Sequence, residues 1–238
     1  AYLSLAERDE GLGEEGRAHL TRAADQGERI RRILKQLLDY SKPPRPERVA
    51  LDLAALARES VELAGTQHRY RDVDFRVEVE GELPEARGDP GMVAQVLLNL
   101  VINGADAALE TGNAAAAVSL QLRPTALSAR PGDDAAHVAQ LRRNSGAADA
   151  VECLVADTGA GVPEDDRERI FDPFFTTKAP GEGTGLGLAN ARRLAEELGG
   201  RLELGPAGPS VASCGAVFRL VLPARSASDC GARTGIRS

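Results

Sequence analysis

The chain has 238 residues and 42% hydrophobic residues, enough for one large or two modest domains that each bury a core. Its formal net charge of -7 at pH 7 excludes a protein that wraps nucleic acid, because that task needs a basic stripe to displace counterions. Cys153, Cys214 and Cys230 form no CxxC pair, and His19, His68 and His137 lie far apart, so reduced cytosolic thiols are expected and no metal held by cysteine or histidine.

Taken in chain order, residues 14–41 place Leu20, Ala24, Gly27, Ile30, Leu34, Leu37 and Ser41 at steps of three or four with charges between them. That spacing predicts a helix with one apolar stripe. The preceding AYLSLAERDE reads as the last turns of another helix, joined through the glycines of GLG, so residues 1–42 are expected to form a helical hairpin. Two helices cannot bury such a stripe alone. Dimerising into a four-helix bundle is one solution, and packing on the chain's own domain is the other. Pro43, Pro44 and Pro46 stop the helix and set a domain boundary.

A second domain is expected over 47–223. LDLAALARESVELAG reads as helix, and DFRVEVEGEL places Phe75, Val77 and Val79 on one face of a strand. Asp89 and Pro90 suit the N-cap and first turn of a helix through MVAQVLLNLVINGADAALE. A strand follows at Val118 to Leu122, and residues 124–150, without a sustained period, read as a mobile insertion. VECLVAD is a buried strand, LGLANARRLAEEL a helix ending at Gly199-Gly200, and RLELG with AVFRLVLP complete the sheet. The fold class is α+β, a two-layer sandwich, with 224–238 as a flexible tail. No run of about 18 apolar residues and no signal-peptide pattern occurs, so a cytoplasmic chain without a membrane segment is expected.

Four clusters carry the chemistry. Asn99 and Asn103, in Asn99-Leu-Val-Ile-Asn103-Gly-Ala-Asp106-Ala, are four apart on a helix and share a face. Their carboxamide oxygens can ligate a hard cation such as Mg²⁺, although such a pair alone also describes an ordinary polar helix face. Asp157 ends an apolar strand and is followed by Gly159 and Gly161, so it can accept from the exocyclic amine of adenine while the backbone turns closely around the base. Alone, that segment could equally be a tight turn. Lys178 closes Phe171-Asp-Pro-Phe-Phe-Thr-Thr-Lys178, as a mobile charge or as solvated surface. The glycines at 181, 183, 185 and 187 precede a helix starting near Leu186, and their amides with that N-terminus offer a concave site for phosphate.

Together these clusters resemble the N, G1, F and G2 boxes of the sensor histidine kinase catalytic domain, and FDPFFTTK followed by GEGTGLGL is most similar to the nitrogen-regulation class. The resemblance runs from about residue 14 to residue 223, since ILKQLLDYSKP resembles the end of the family's second dimerisation helix. It implies a Bergerat ATP-binding sandwich with a mixed sheet, and a lid over the nucleotide at about 162–184. It also implies ATP and Mg²⁺ as cofactors, with Asn103 and Asn99 at the metal and Asp157 at adenine. Asp106, Gly159, Gly161, Phe171, Thr177, Lys178, Gly183, Thr184, Gly185, Leu186 and Gly187 complete the implied nucleotide site, in which Asn99 and Lys178 are the catalytic candidates.

The implied partners are a second copy through the hairpin and the receiver domain of a response regulator. Relatives of the same fold in the gyrase and chaperone groups have glutamate where this chain has Asn99, and a carboxamide cannot take a proton from water. ATP should then be held without rapid hydrolysis, for transfer to a side chain. The phospho-acceptor histidine box is expected upstream of Ala1, and any membrane anchor of the full protein with it; His19, followed by Leu20, is not expected to be the acceptor. This stretch alone should therefore bind ATP without labelling itself. The rival readings are a non-catalytic nucleotide-binding scaffold and a gyrase- or chaperone-type ATPase.

Overall fold

The computed structural model describes residues 49–112, 115–126, 150–179, 183–205 and 215–225, with isolated helical positions Gly16, His19, Leu20, Ala23 and Gly27. The hairpin expected over 1–42 and its dimer contact, most of the insertion and most of the tail lie outside the described residues. The described fold begins with β1 (Val49–Leu51) and α1 (Leu53–Gly65), whose N-cap Asp52 accepts from the Ala55 amide at 2.9 Å. Leu53, Ala57, Ser60 and Ala64 recur at steps of four and three, and they form the buried stripe of α1. A single 3-10 turn, His68–Tyr70, leads to β2 (Asp74–Val79), and β3 (Glu85–Gly88) follows.

The long helix α2 (Pro90–Glu110) starts where the sequence places it. Asp89 accepts from the Met92 amide at 3.0 Å, and Pro90 occupies a first-turn position where no amide partner is needed. By length and composition this helix could span a membrane, but 56% of its apolar window is buried, with Val93, Val96, Leu97, Leu100, Val101, Ala105 and Ala108 in the core. The remaining elements are β4 (Ala117–Thr125), β5 (Ala150–Asp157), a 3-10 turn Glu164–Asp166, α3 (Gly187–Glu197), β6 (Arg201–Leu204) and β7 (Val217–Arg225).

The sheet runs β1-β3-β7-β5-β4-β2, with β6 paired to β7 beside β3. Among the described residues only β2 and β4 pair in parallel, so the sheet is mixed, as the resemblance implies. Strand alternation sends Val118, Leu120 and Leu122 of β4, Val151, Cys153 and Val155 of β5, and Phe218, Leu220 and Leu222 of β7 into one core with α1, α2 and α3. The result is two layers, helices on one face of the sheet. Cys153 is a packing residue: burial, with Glu152 beside it, pushes its thiol up to about 12.

Three boundaries differ from the sequence reading. Pro124, Thr125 and Ala150 belong to strands rather than to the insertion, pairing as Pro124 with Val151 and Thr125 with Ala150. Proline is tolerated there because β2 stops at Val79 opposite Leu122, and beyond it β4 is an edge. Ala224 and Arg225, expected in the tail, extend β7 to pair with Ala86 and Glu85. Val79, placed on one strand face with Phe75 and Val77, is 39% exposed at the end of the edge strand β2.

The face away from the helices carries a buried charge. Glu152 is 2% exposed, with Arg123 directly opposite on β4 and Arg219 diagonal to it on β7. Burial alone would raise its carboxyl, but Arg219 and Arg123 hold it below the ordinary 4.5. A depressed carboxyl contributes stability that is present above its unfolded value and lost as pH falls through its folded value. Glu152→Gln should therefore cost about 1.5 to 3 kcal/mol at pH 7 and leave a shallower loss on acidification below pH ~4.5. Urea midpoints of both proteins at pH 7 and at about pH 4 would show it; parallel losses would remove Glu152 from the acid response.

Candidate functional site

The core positions a cavity of about 510 Å³ between α2, the C-terminal end of β5, the start of α3 and the segment joining β5 to α3. Asn99, Asn103 and Asp106, at successive steps of four and three along α2, all line it, so the shared face read from the spacing is real. Asp157, Gly161, Thr177, Lys178, Gly183, Thr184, Gly185 and Gly187 also line it. Three expected contacts do not. Phe171 packs edge-on against Phe218, with ring centroids 6.3 Å apart, and beneath the Arg192 guanidinium, because its ring is worth more in the core than in a polar mouth. Leu186 is 2% exposed, its side chain buried and its amide turned to Thr184 Oγ1 at 3.4 Å. Gly159 is buried against Ala107 and acts on the neighbouring carboxylate instead.

That carboxylate is the inner end of the cavity. Asp157 is the last residue of β5 and 4% exposed, and its Oδ1 accepts from the amides of Gly159 at 2.8 Å and Ala216 at 3.2 Å. Burial raises its carboxyl above the ordinary value, and the two amides work against that rise. Both bonds fall on Oδ1, which leaves Oδ2 to accept from a ligand. Ile102, Val162, Ile170 and Phe218 supply apolar walls. A recess with apolar walls and a buried acceptor suits an aromatic heterocycle that carries an amine.

The outer end is polar. Asn99 Nδ2 donates to the Gly187 carbonyl at 3.3 Å, and a Cβ added at Gly187 would sit 3.6 Å from Asn103 Nδ2, so the asparagine pair faces the first turn of α3. Amides of that turn and the positive end of an eleven-residue helix favour anions. The segment above is pinned at its base: the Phe174 amide donates to the Gly185 carbonyl at 3.0 Å, and both residues are left-handed, at φ 69° and 65°. A side chain at Gly185 would run into the Phe174 backbone, so glycine is required there.

Lys178 reaches down to pair with Asp106 Oδ2. The other oxygen of Asp106 accepts from the Tyr70 hydroxyl at 2.7 Å and from Arg69. Sequence reading missed Arg69 and Tyr70, since a turn residue 37 positions before its partner leaves no local signal. It also missed the apolar walls, of which Val162 and Ile170 fall in the stretch that the resemblance gives to the lid.

The chain matches the family described as histidine kinase-, DNA gyrase B-, and HSP90-like ATPase over residues 88–226. It is 33% identical over 200 residues to the sensor histidine kinase ZraS of Escherichia coli O157:H7, covering 84% of this chain and 37% of that protein. To the sensor kinase CckA of Brucella abortus (strain 2308) it is 34% identical over 195 residues, 80% of this chain and 18% of that one. The chain thus spans little more than a third of the first of these relatives and less of the second. Among solved structures, a nucleotide-free catalytic domain of histidine kinase ThkA superposes with a TM-score of 0.55 at 27% identity, over 74% of this chain and 95% of that one. Histidine kinase ThkA in complex with response regulator protein TrrA gives 0.60 at 25% identity, over 90% and 52%. Full-length ShkA in complex with AMPPNP gives 0.66 at 24% identity, over 95% and 43%, a likeness of fold.

Proposed function

The chain belongs to the histidine kinase-, DNA gyrase B- and HSP90-like ATPase family, and from that premise we propose that it is the ATP-binding catalytic part of a two-component sensor histidine kinase. The observation that carries this reading is the pairing, in one cavity, of a buried acceptor at Asp157 with the asparagines 99 and 103 beside the N-terminus of α3. Asp157 would accept from the adenine amine, and Lys178, Gly183, Thr184, Gly185 and Gly187 would hold the phosphates, with Thr177 and Gly161 lining the same cavity. Mg²⁺ fits the carboxamide oxygens of Asn103 and Asn99, hard neutral donors that leave most of the shell to water and phosphate. When bound it supplies charge neutralisation on the phosphates.

No carboxylate occupies position 99, so water has no general base there, and the γ-phosphoryl is kept for a histidine nitrogen in line with it. From that histidine the phosphoryl passes to an aspartate of a response regulator, a partnership supported by the ThkA–TrrA likeness. Dimerisation through residues 1–42 and a cytoplasmic site of reaction belong to the same reading. No feature of the cavity favours the gyrase- or chaperone-type ATPase or the non-catalytic scaffold.

The test uses the full protein with γ-labelled ATP, followed by acid and base treatment. The expected label is acid-labile and base-stable, with slow release of inorganic phosphate. Fast release without protein label would replace the kinase reading with the ATPase, and ATP binding with neither label nor release would leave the nucleotide-binding scaffold.

A further inference from the structure

Arg69 is a cation of the cavity that the kinase resemblance does not assign. It sits on the turn His68–Tyr70 between α1 and β2, lines the cavity, and bonds Asp106 through Nη2. Its guanidinium carbon lies 4.5 Å from the centroid of the Tyr70 ring. Tyr70 is itself 1% exposed and fixed by its hydroxyl bond to the same Asp106 oxygen. Lys178 takes the other oxygen, so one carboxylate stands against two cations and gathers both at the same end of the cavity.

We propose that Arg69 is a second polyphosphate-binding cation, positioned by Asp106 and Tyr70, which makes the site discriminate nucleotides by their number of phosphates. The inference rests on the ATP-binding reading above. Arg69 remains 53% exposed while it lines the cavity, so donors of its fork other than Nη2 are open to a ligand. Stacking and tethering hold the fork in place beforehand, and little side-chain freedom is lost when it meets phosphate oxygens.

A purely structural role explains less. An ion pair with a half-exposed arginine contributes little to stability, and Asp106 keeps Tyr70 and Lys178 without it. A triphosphate carries more negative charge than one carboxylate, so the two cations can share themselves between Asp106 and the phosphates. The surplus positive charge beside Asp106 then offsets part of the negative charge that the phosphates bring.

Calorimetric titration of ATP, ADP and AMP into the wild type, Arg69→Ala and Arg69→Lys decides the matter. Arg69→Ala should weaken ATP about tenfold, move AMP by less than about twofold, and leave the unfolding midpoint unchanged. Arg69→Lys, which keeps the charge and loses the planar fork, should recover part of the ATP affinity. The salt dependence of ATP binding should also fall in Arg69→Ala. Equal weakening of ATP and AMP would make Arg69 a wall of the pocket, and unchanged ATP affinity would put it off the phosphate path; either overturns the proposal. A wild-type protein that binds no ATP would instead overturn the nucleotide reading itself, which separates the two failures.

Discussion

Asp157→Asn is expected to lower ATP affinity by about ten- to a hundredfold while the domain stays folded, the equivalent of one charge-assisted hydrogen bond of about 1.5 to 3 kcal/mol. The expectation follows from how the carboxylate is divided. Oδ1 is held by the amides of Gly159 and Ala216, which an asparagine carbonyl oxygen can satisfy equally well. The other atom then becomes an NH₂ group that faces the adenine amine, donor against donor.

Asp157→Ala would instead remove the acceptor from two buried amides and mix a binding loss with a folding loss. For that reason the asparagine variant is the sharper test. Titration with a fluorescent ATP analogue, alongside a thermal melt, measures both quantities. Unchanged affinity in a folded variant would take adenine away from Asp157.

Gly215→Ala should damage the same recess from behind. A Cβ at 215 would fall inside the surface of the Asp157 carbonyl and against its Oδ1, and these atoms belong to a strand end that cannot yield. The segment entering β7 would have to move. It would take with it the Ala216 amide that bonds the carboxylate, and the bond from the Asp157 amide to the Ala216 carbonyl at 3.1 Å.

Overpacking of this kind costs about 1 to 3 kcal/mol or more. ATP affinity should fall at least about tenfold with it. Gly65→Ala is the control: its Cβ would make an ordinary 3.9 Å contact with Phe75, and the change should be neutral or stabilising by up to about 1 kcal/mol. A Gly215→Ala protein that melts and binds as the wild type does would mean that the approach of this loop to Asp157 is not needed.

What could be read from the chain was local. Asp89 and Pro90 announce α2, the step of four between Asn99 and Asn103 places both on one face, and Asp157 is recognisable as the polar end of an apolar strand. Each signal depends on capping, helical period or strand period within a few residues, which the backbone enforces without help from elsewhere. Phe171 shows the limit of that reading. It belongs to a matching motif, yet its ring is claimed by Phe218, 47 positions on in the chain, rather than by the cavity.

Other features were decided by sheet register and by the packing of α2 on the sheet. Arg69 meets Asp106 across 37 positions, Ala216 meets Asp157 across 59, and Lys178 meets Asp106 across 72. Pro124 and Ala150 became strand only because β5 lies opposite β4 along its whole length. The sequence by itself determined which residues could take part in a nucleotide site, since residue chemistry and short-range periodicity are local properties. Only the tertiary structure decided which of them share one cavity and which cations Asp106 collects, because those contacts form when distant segments are brought together by burial of a common core.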